Sequence, residues 1–136
     1  MVIYMTGGLE YDSRKVIHTC LRYDIKTNCW KNVPKLSRAR GYHSSCAVGT
    51  RIFVFGGSNG IIPINSIETL SVVADLNDGL DSGLTRWDLI EVPFNLLLGR
   101  SNTLAIQISH NSILIMGGMS FVGQLGDVCI FNTDER

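Results

Sequence analysis

Three short stretches of this chain end in the same way. Val2 to Gly8 reads VIYMTGG, Arg51 to Gly57 reads RIFVFGG, and Ser112 to Gly118 reads SILIMGG. The Gly-Gly pairs follow one another at intervals of 49 and then 61 residues. Repeats in this range build propellers or solenoids. Each stretch is a continuous apolar or β-branched run of strand length rather than an alternating one. A strand open to water on one face would alternate, so these strands are expected to be covered on both faces. That is the situation of a central strand in a blade stacked between others. Glycine after such a strand allows positive φ and close approach of a neighbouring backbone. No window shows a capped helical repeat. The apolar run from Leu89 to Leu98 is interrupted by Pro93, which would break a helix.

The rest of the period repeats too. After the first Gly-Gly come Tyr23-Asp24, Trp30 seven residues beyond the Tyr, Val33-Pro34, and the segment from Arg40 to Val48. In the second unit Trp87, Val92-Pro93 and the segment from Arg100 to Ile106 take the corresponding places. The third carries Phe131 in the slot of the Tyr. This order resembles the kelch family over nearly the whole chain, with the closest match in the first unit. The resemblance implies an all-β, kelch-type β-propeller: a partial array of about 2.5 four-stranded antiparallel blades. As one partial domain over 1–136, it would divide into blade one (about 1–35), blade two (about 36–95) and an incomplete blade three (about 96–136). Blade one would lack its inner strand and blade three its outer one. Propellers have four to eight blades, and each repeat needs neighbours to bury its core. The remaining blades are therefore expected from a longer chain or from another chain.

Composition excludes several functions. With 12 basic and 12 acidic residues the net charge is zero, so no electrostatic footprint for nucleic acid or an anionic membrane is present. No apolar stretch approaches the ~20 residues that span a bilayer. Cys20, Cys29, Cys46 and Cys129 show neither Cys-x-x-Cys pairing nor metal-ligand spacing with His18, His43 or His110. They read as reduced core thiols, which suits the cytoplasm, with a Cys20–Cys29 disulfide as the alternative. The segment from Ala74 to Arg86 reads as an extended loop; its Asp75, Asp78 and Asp81 lack the complete ligand pattern of a calcium site. There is no nucleophile elbow, zinc-protease helix or phosphate loop. No metal, cofactor or catalytic residue is assigned.

Binding then falls to loops held by rigid sheets. With strands A to D running from the inside of each blade outward, kelch propellers with peptide ligands form one face around the channel from the B–C loops (here Leu9 to Val16, Ser58 to Ser66 and Met119 to Gly126) and the D–A loops (Lys35 to Arg40 and the connector Phe94 to Ser101). The resemblance places Tyr11, Arg14, Ser58, Asn59, Ser120 and Phe121 on that face, with Tyr42 and Asn102 at the channel mouth. Arg40 and Arg100 are expected to form inter-blade salt bridges or cap carbonyls, and Trp30, Trp87 and Tyr23 to wedge between blades. The function expected is a non-catalytic protein-interaction or scaffold module for a protein partner. The alternative is part of an enzyme propeller, galactose oxidase-like or sialate epimerase-like. Tyr42 and His43 point to opposite faces of one strand and would not make such a site alone.

Overall fold

The computed structural model describes residues 1–72, 86–92 and 98–134, and these are all β-strand, turn or irregular structure. Ten strands form three antiparallel sheets. The first contains β1 (Val2–Leu9), β2 (Val16–Asp24) and β3 (Cys29–Val33), in that order. The second runs β4 (Ser44–Val48), β5 (Arg51–Phe55), β6 (Ile67–Ser71) and β7 (Asp88–Ile90). The third contains β8 (Leu104–Gln107), β9 (Ser112–Ser120) and β10 (Gly123–Asn132), with β9 in the middle. These are the blades of a partial kelch-type propeller, the middle one four-stranded. The expected extended loop with Asp75, Asp78 and Asp81 lies outside the described residues, as does Pro93.

Register shows how closely the sheets repeat. The residue before each Gly-Gly pairs with the next strand as Thr6↔Cys20, Phe55↔Ile67 and Met116↔Val128. Counting outward, Tyr23 faces Trp30 across β2 and β3, and Trp87 falls at the same place as Trp30. The Tyr23 and Trp30 rings meet at a 37° tilt with centroids 4.8 Å apart, and Asp24 Oδ1 accepts the Lys26 N–H at 2.9 Å to shape the turn between them.

Two apolar seams hold the sheets together. Cys20, Val33, Leu36, Ile52, Val54, Leu70 and Trp87 fill the first seam, between blades one and two. Phe53, Phe55, Ile67, Ala105, Ile113 and Ile115 fill the second, joined by Phe131, whose ring stands edge-on to Phe53 and Phe55 at 5.7 and 5.5 Å. The β5 run is thus buried on both faces: Ile52 and Val54 go to one seam, Phe53 and Phe55 to the other. This is the covering its unbroken hydrophobicity predicts. The equivalent Trp residues part company. Trp87 is 3% exposed and donates its indole N–H to Pro34 O at 2.8 Å, whereas Trp30 is 55% exposed because the outward face of blade one has no neighbour among the described residues.

The Gly-Gly pairs are where one sheet's backbone meets the next. Gly8 N–H donates to Arg40 O at 2.9 Å, and Gly57 N–H donates to Arg100 O at 2.8 Å. Gly7 and Gly56 have φ of 52° and 58°. A Cβ on Gly7 would lie 2.7 Å from Arg40 O, and one on Gly56 would be driven into Arg100 O. Gly49 offers a control, since its φ is 57° but nothing would lie within 4 Å of its Cβ. Gly56→Ala is expected to lower stability to urea by roughly 2 kcal/mol or more, and Gly49→Ala by about 1 kcal/mol. Equal losses would mean that φ alone, and not the approach of Arg100, requires the glycine.

Candidate functional site

Arg40 and Arg100, on the segments that lead into β4 and β8, are the most buried basic side chains among the described residues. The Arg40 guanidinium donates to Gly56 O (2.8 Å), Ser66 O (3.0 Å), Ser66 Oγ (3.2 Å) and Glu68 Oε1 (2.7 Å). Arg40 and Glu68 are both 0% exposed at their side chains. Burial pulls the Arg40 guanidinium below its ordinary pKa, and the Glu68 carboxylate opposes that shift. Glu68 also accepts the backbone N–H groups of Ser37 (2.6 Å) and Arg38 (3.2 Å), so it ties β6 to the connector arriving from blade one. Arg100 repeats the arrangement with different partners. It donates to Gly117 O at 3.2 Å and grips Asp127 through two bonds of 2.8 and 2.9 Å, which holds the Asp127 carboxyl below its usual range.

The inter-blade salt bridge considered for Arg40 and Arg100 does not occur. Each side chain caps carbonyls and pairs with an acid inside its own sheet; the backbone of the same residue makes the inter-blade bonds. Besides accepting from the Gly pair, Arg40 N–H donates to Ile17 O (3.2 Å) and Arg100 N–H to Ile64 O (3.1 Å). The acid also shifts between repeats. By register Asp127 occupies the place of Ser66, and Cys129 that of Glu68. A search for an acid at one constant offset from the Gly-Gly would miss this, and Glu68 did not stand out in the sequence.

His43 completes the seam between blades one and two. Its Nε2 lies 3.1 Å from Thr6 Oγ1, and its Nδ1 is buried with no hydrogen-bond partner in the described structure. Burial first, and the Arg40 charge second, push its pKa below 6.5. The four cysteines are free. Cys20 and Cys29 lie on paired strands, but Cys29 stands opposite Asp24 and Cys20 opposite Val33. Four residues along a strand is roughly 13 Å, beyond disulfide reach. Among the described residues no group of three or more His, Cys, Asp or Glu could hold a metal ion.

The eight loop residues named from the sequence fall into an inner and an outer set. Tyr42 and Asn102 adopt left-handed φ of 55° and 53°, and Asn102 N–H donates to Tyr42 O at 2.8 Å. Ser58 joins Gly41, beside Tyr42, through a reciprocal pair of 2.9 and 2.8 Å bonds. Met119 bonds Ser101 in the same way, which brings Ser120 next to Asn102. Tyr11, Arg14, Asn59 and Phe121 stand farther out on the turns. The Arg14 guanidinium lies over the Tyr11 ring, 5.5 Å from its centroid, with Arg14 φ at 56°. Several polar members are occupied in shaping their own turns. Asn59 Oδ1 accepts from Ile61 and Ile62 N–H, Ser58 Oγ from Gly60, and Ser120 Oγ from Val122. Apolar side chains are prominent among those left exposed at the tips, beside the exposed charges Glu10, Asp12, Arg14 and Lys15 of the first turn. Tyr11, Ile61, Ile62, Phe121 and Val122 are all exposed, and the isoleucines and Val122 were not singled out from the sequence. Three residues of the connector expected at 94–101, Leu98 to Arg100, are described together with Ser101; its earlier part is not.

Sheets of this register, joined at Gly-Gly turns by the next sheet's Arg backbone, define a propeller of repeated blades. Residues 39–75 match the family model described as Kelch motif. The chain is 27% identical over 119 residues to Kelch-like protein 36 of Bos taurus, covering 88% of this chain and 18% of that protein. It is 25% identical over 148 residues to Kelch-like protein 15 of Danio rerio, covering 98% of this chain and 23% of the relative. Against Kelch-like protein 15 of Homo sapiens the identity is 25% over 116 residues, or 85% of this chain and 18% of the relative. The chain is thus similar to kelch-repeat proteins, with the motif itself matched at residues 39–75. It spans about a fifth of the length of the curated relatives it matches. No helix among the described residues is long and apolar enough to cross a membrane.

Glu68→Gln leaves Arg40 without its counter-charge in a dry site and is expected to cost about 3 kcal/mol or more in denaturant unfolding. Asp127→Asn, at a half-exposed acid, is expected to cost about 1 kcal/mol. The His43 pKa is lowered in the folded chain, so the unfolded chain takes up its proton first. Stability is therefore complete above about pH 6.5 and declines as the pH falls below it. His43→Thr, which copies Thr103 at the same place in blade three, should flatten that decline in melts between pH 7 and pH 5.

Proposed function

We propose that this chain is a non-catalytic protein-interaction module, part of a kelch-type propeller that presents its B–C and D–A loops to a protein partner. Tyr11, Arg14, Tyr42, Ser58, Asn59, Asn102, Ser120 and Phe121 form the contact face in this reading. Residues 1–136 act as one partial domain, its blades those assigned from the repeat, and further blades complete the ring. Tyr11, Tyr42 and Phe121 carry most of the binding, because exposed aromatics are favoured anchors. Ser58, Asn59 and Ser120 hold the turns that project Ile61, Ile62 and Val122.

The observation that carries the reading is the backbone of Tyr42. A bulky residue is held in the left-handed region while its side chain is 54% exposed at the mouth between the blades. That conformation costs about 1–2 kcal/mol for a non-glycine residue and is cheaper for Asn, which occupies the same position in blade three. Packing within the described chain does not account for an exposed aromatic there; a ligand would. The loop tips balance Glu10 and Asp12 against Arg14 and Lys15 and expose several apolar side chains, which favours a peptide with hydrophobic side chains over a strongly acidic or basic one. The names of the relatives are consistent with a kelch protein, and no donor cluster in the described chain supports the enzyme alternative.

Peptides selected from a random library on the wild-type chain give the test. Tyr42→Asn is expected to raise stability by about 1 kcal/mol and to weaken the selected peptides at least tenfold. Tyr11→Ala and Phe121→Ala should weaken them comparably, while Lys31→Ala on the outer strand should not. Peptides that bind all four variants as well as wild type would remove the loop face as the binding site.

A further inference from the structure

We infer that the turn at Asn59 and Gly60 is a self-modification site, where the Gly60 nitrogen closes on Asn59 Cγ, ammonia leaves, and aspartate or isoaspartate takes the place of the asparagine. The inference needs no binding partner, because it concerns the chemistry of the turn itself. It comes from comparing the hydrogen bonds at Asn59 with those at the other asparagines.

An asparagine reacts in this way when its side-chain carbonyl, the next amide nitrogen and an acceptor for that nitrogen's proton are held together. The turn supplies each of these. Asn59 Oδ1 accepts the N–H groups of Ile61 and Ile62 at 2.9 and 2.8 Å. Main-chain donors converging on one carbonyl oxygen draw charge from Cγ and hold the oxyanion that forms when Cγ is attacked. Gly60 N–H donates to Ser58 Oγ at 3.1 Å, so the proton that must leave already points at a hydroxyl. Gly60 has no side chain to crowd its nitrogen, and its φ of 95° is a conformation that glycine adopts readily. Asn59 and Gly60 are both exposed, so water and hydroxide reach them.

Water and its hydroxide are the only reagents the reaction needs. Ser58 Oγ takes the Gly60 proton while its own passes to a solvent hydroxide. The electron pair left on nitrogen forms the bond to Cγ, and the π pair of the Cγ–Oδ1 bond moves onto Oδ1. When that pair returns, the Cγ–Nδ2 bond breaks, and Nδ2 leaves as ammonia with a proton from water, which restores the hydroxide. A second water opens the cyclic imide. Its attack at Cγ breaks the new bond to nitrogen and gives aspartate. Its attack at the main-chain carbonyl carbon of Asn59 breaks the original peptide bond and gives isoaspartate. Either product places a carboxylate on a turn that was neutral.

The other described asparagines are held differently. Asn65 Nδ2 donates to Val92 O at 2.9 Å and Asn111 Nδ2 to Asp134 Oδ2 at 3.0 Å, which ties down the group that must leave. Asn102 is followed by Thr103, whose branched side chain crowds the attacking nitrogen. Asn28 Oδ1 accepts the Tyr23 hydroxyl, and the next residue, Cys29, is already paired with Asp24 in the sheet. Asn32 and Asn132 lie within β3 and β10.

The test is to incubate the full chain at mildly alkaline pH and follow amide-to-acid conversion by peptide mapping with fragment sequencing. An isoaspartate-specific methyltransferase reads the isomerised product. Asn59 is expected to convert ahead of the other described asparagines, at a rate that rises with pH. The folded chain should react at least about threefold faster than the chain unfolded in guanidinium chloride, because only the folded turn holds the oxyanion. Ser58→Ala removes the proton acceptor but neither Asn59 nor Gly60, and the bonds of residue 58 to Gly41 are main-chain. It should slow conversion at least about threefold. Asn59→Gln keeps an amide but lengthens the ring that must close, and should form no acid at that position. A folded chain that reacts no faster than the unfolded one would reduce the site to its Asn-Gly sequence and overturn the inference. So would an unchanged rate in Ser58→Ala, or earlier conversion at another described asparagine.

Discussion

The carbonyl of one arginine, held against the amide of a glycine in the preceding sheet, organises the described structure. Gly8 to Arg40 and Gly57 to Arg100 are the points where neighbouring sheets share a backbone bond at their inner corner. Everything around them serves that approach. Glycine is needed because a side chain would occupy the carbonyl's space. The arginine side chain turns back into its own sheet, capping the carbonyls that the Gly-Gly turn leaves open. Its charge then requires a carboxylate, which β6 and β10 supply at different positions. A buried pair of this kind adds little net stability, yet removing one partner is costly. It acts as a lock on the lead-in's position more than as a source of folding energy.

Much of this is legible in the residues. The unbroken apolar runs announce strands covered on both faces, which holds for β5, whose residues divide between two seams, while β1 and β9 each bury one face among the described residues. The Gly-Gly interval gives the repeat, and the Tyr-to-Trp spacing gives the pairing of β2 with β3. What could not be read has a physical reason in each case. Glu68 and Asp127 answer the same arginine position from different registers, so no constant offset reveals them. The different fates of Trp30 and Trp87 follow from which sheet faces have neighbours, a property of the assembly and not of the local sequence. Gly7 and Gly8 belong to β1, and Gly117 and Gly118 to β9, so two of the strands run past the glycines that punctuate the sequence pattern.

The loop face was legible at the level of segments and less so at the level of atoms. Composition alone presents Ser58, Asn59 and Ser120 as free polar groups. In the structure their oxygens close their own turns. Around these turns the exposed surface is carried by apolar neighbours such as Ile61 and Val122. Tyr42 shows the reverse: its residue type suggested a contact, but only the backbone reveals that the position is strained.

The division of labour at Arg40 and Arg100 also bears on how such arrays change over time. The bonds that Arg40 and Arg100 make across each lead-in run between main-chain atoms, while their charged side chains close circuits within a single sheet. A joint built from main chain is indifferent to most substitutions on either side of it. Duplicating or deleting a whole sheet keeps the Arg40–Glu68 and Arg100–Asp127 pairs undivided, whereas a break inside a sheet would separate an arginine from its acid. The natural unit of gain and loss therefore runs from one arginine to the next, and an array of this design can be lengthened without being redesigned.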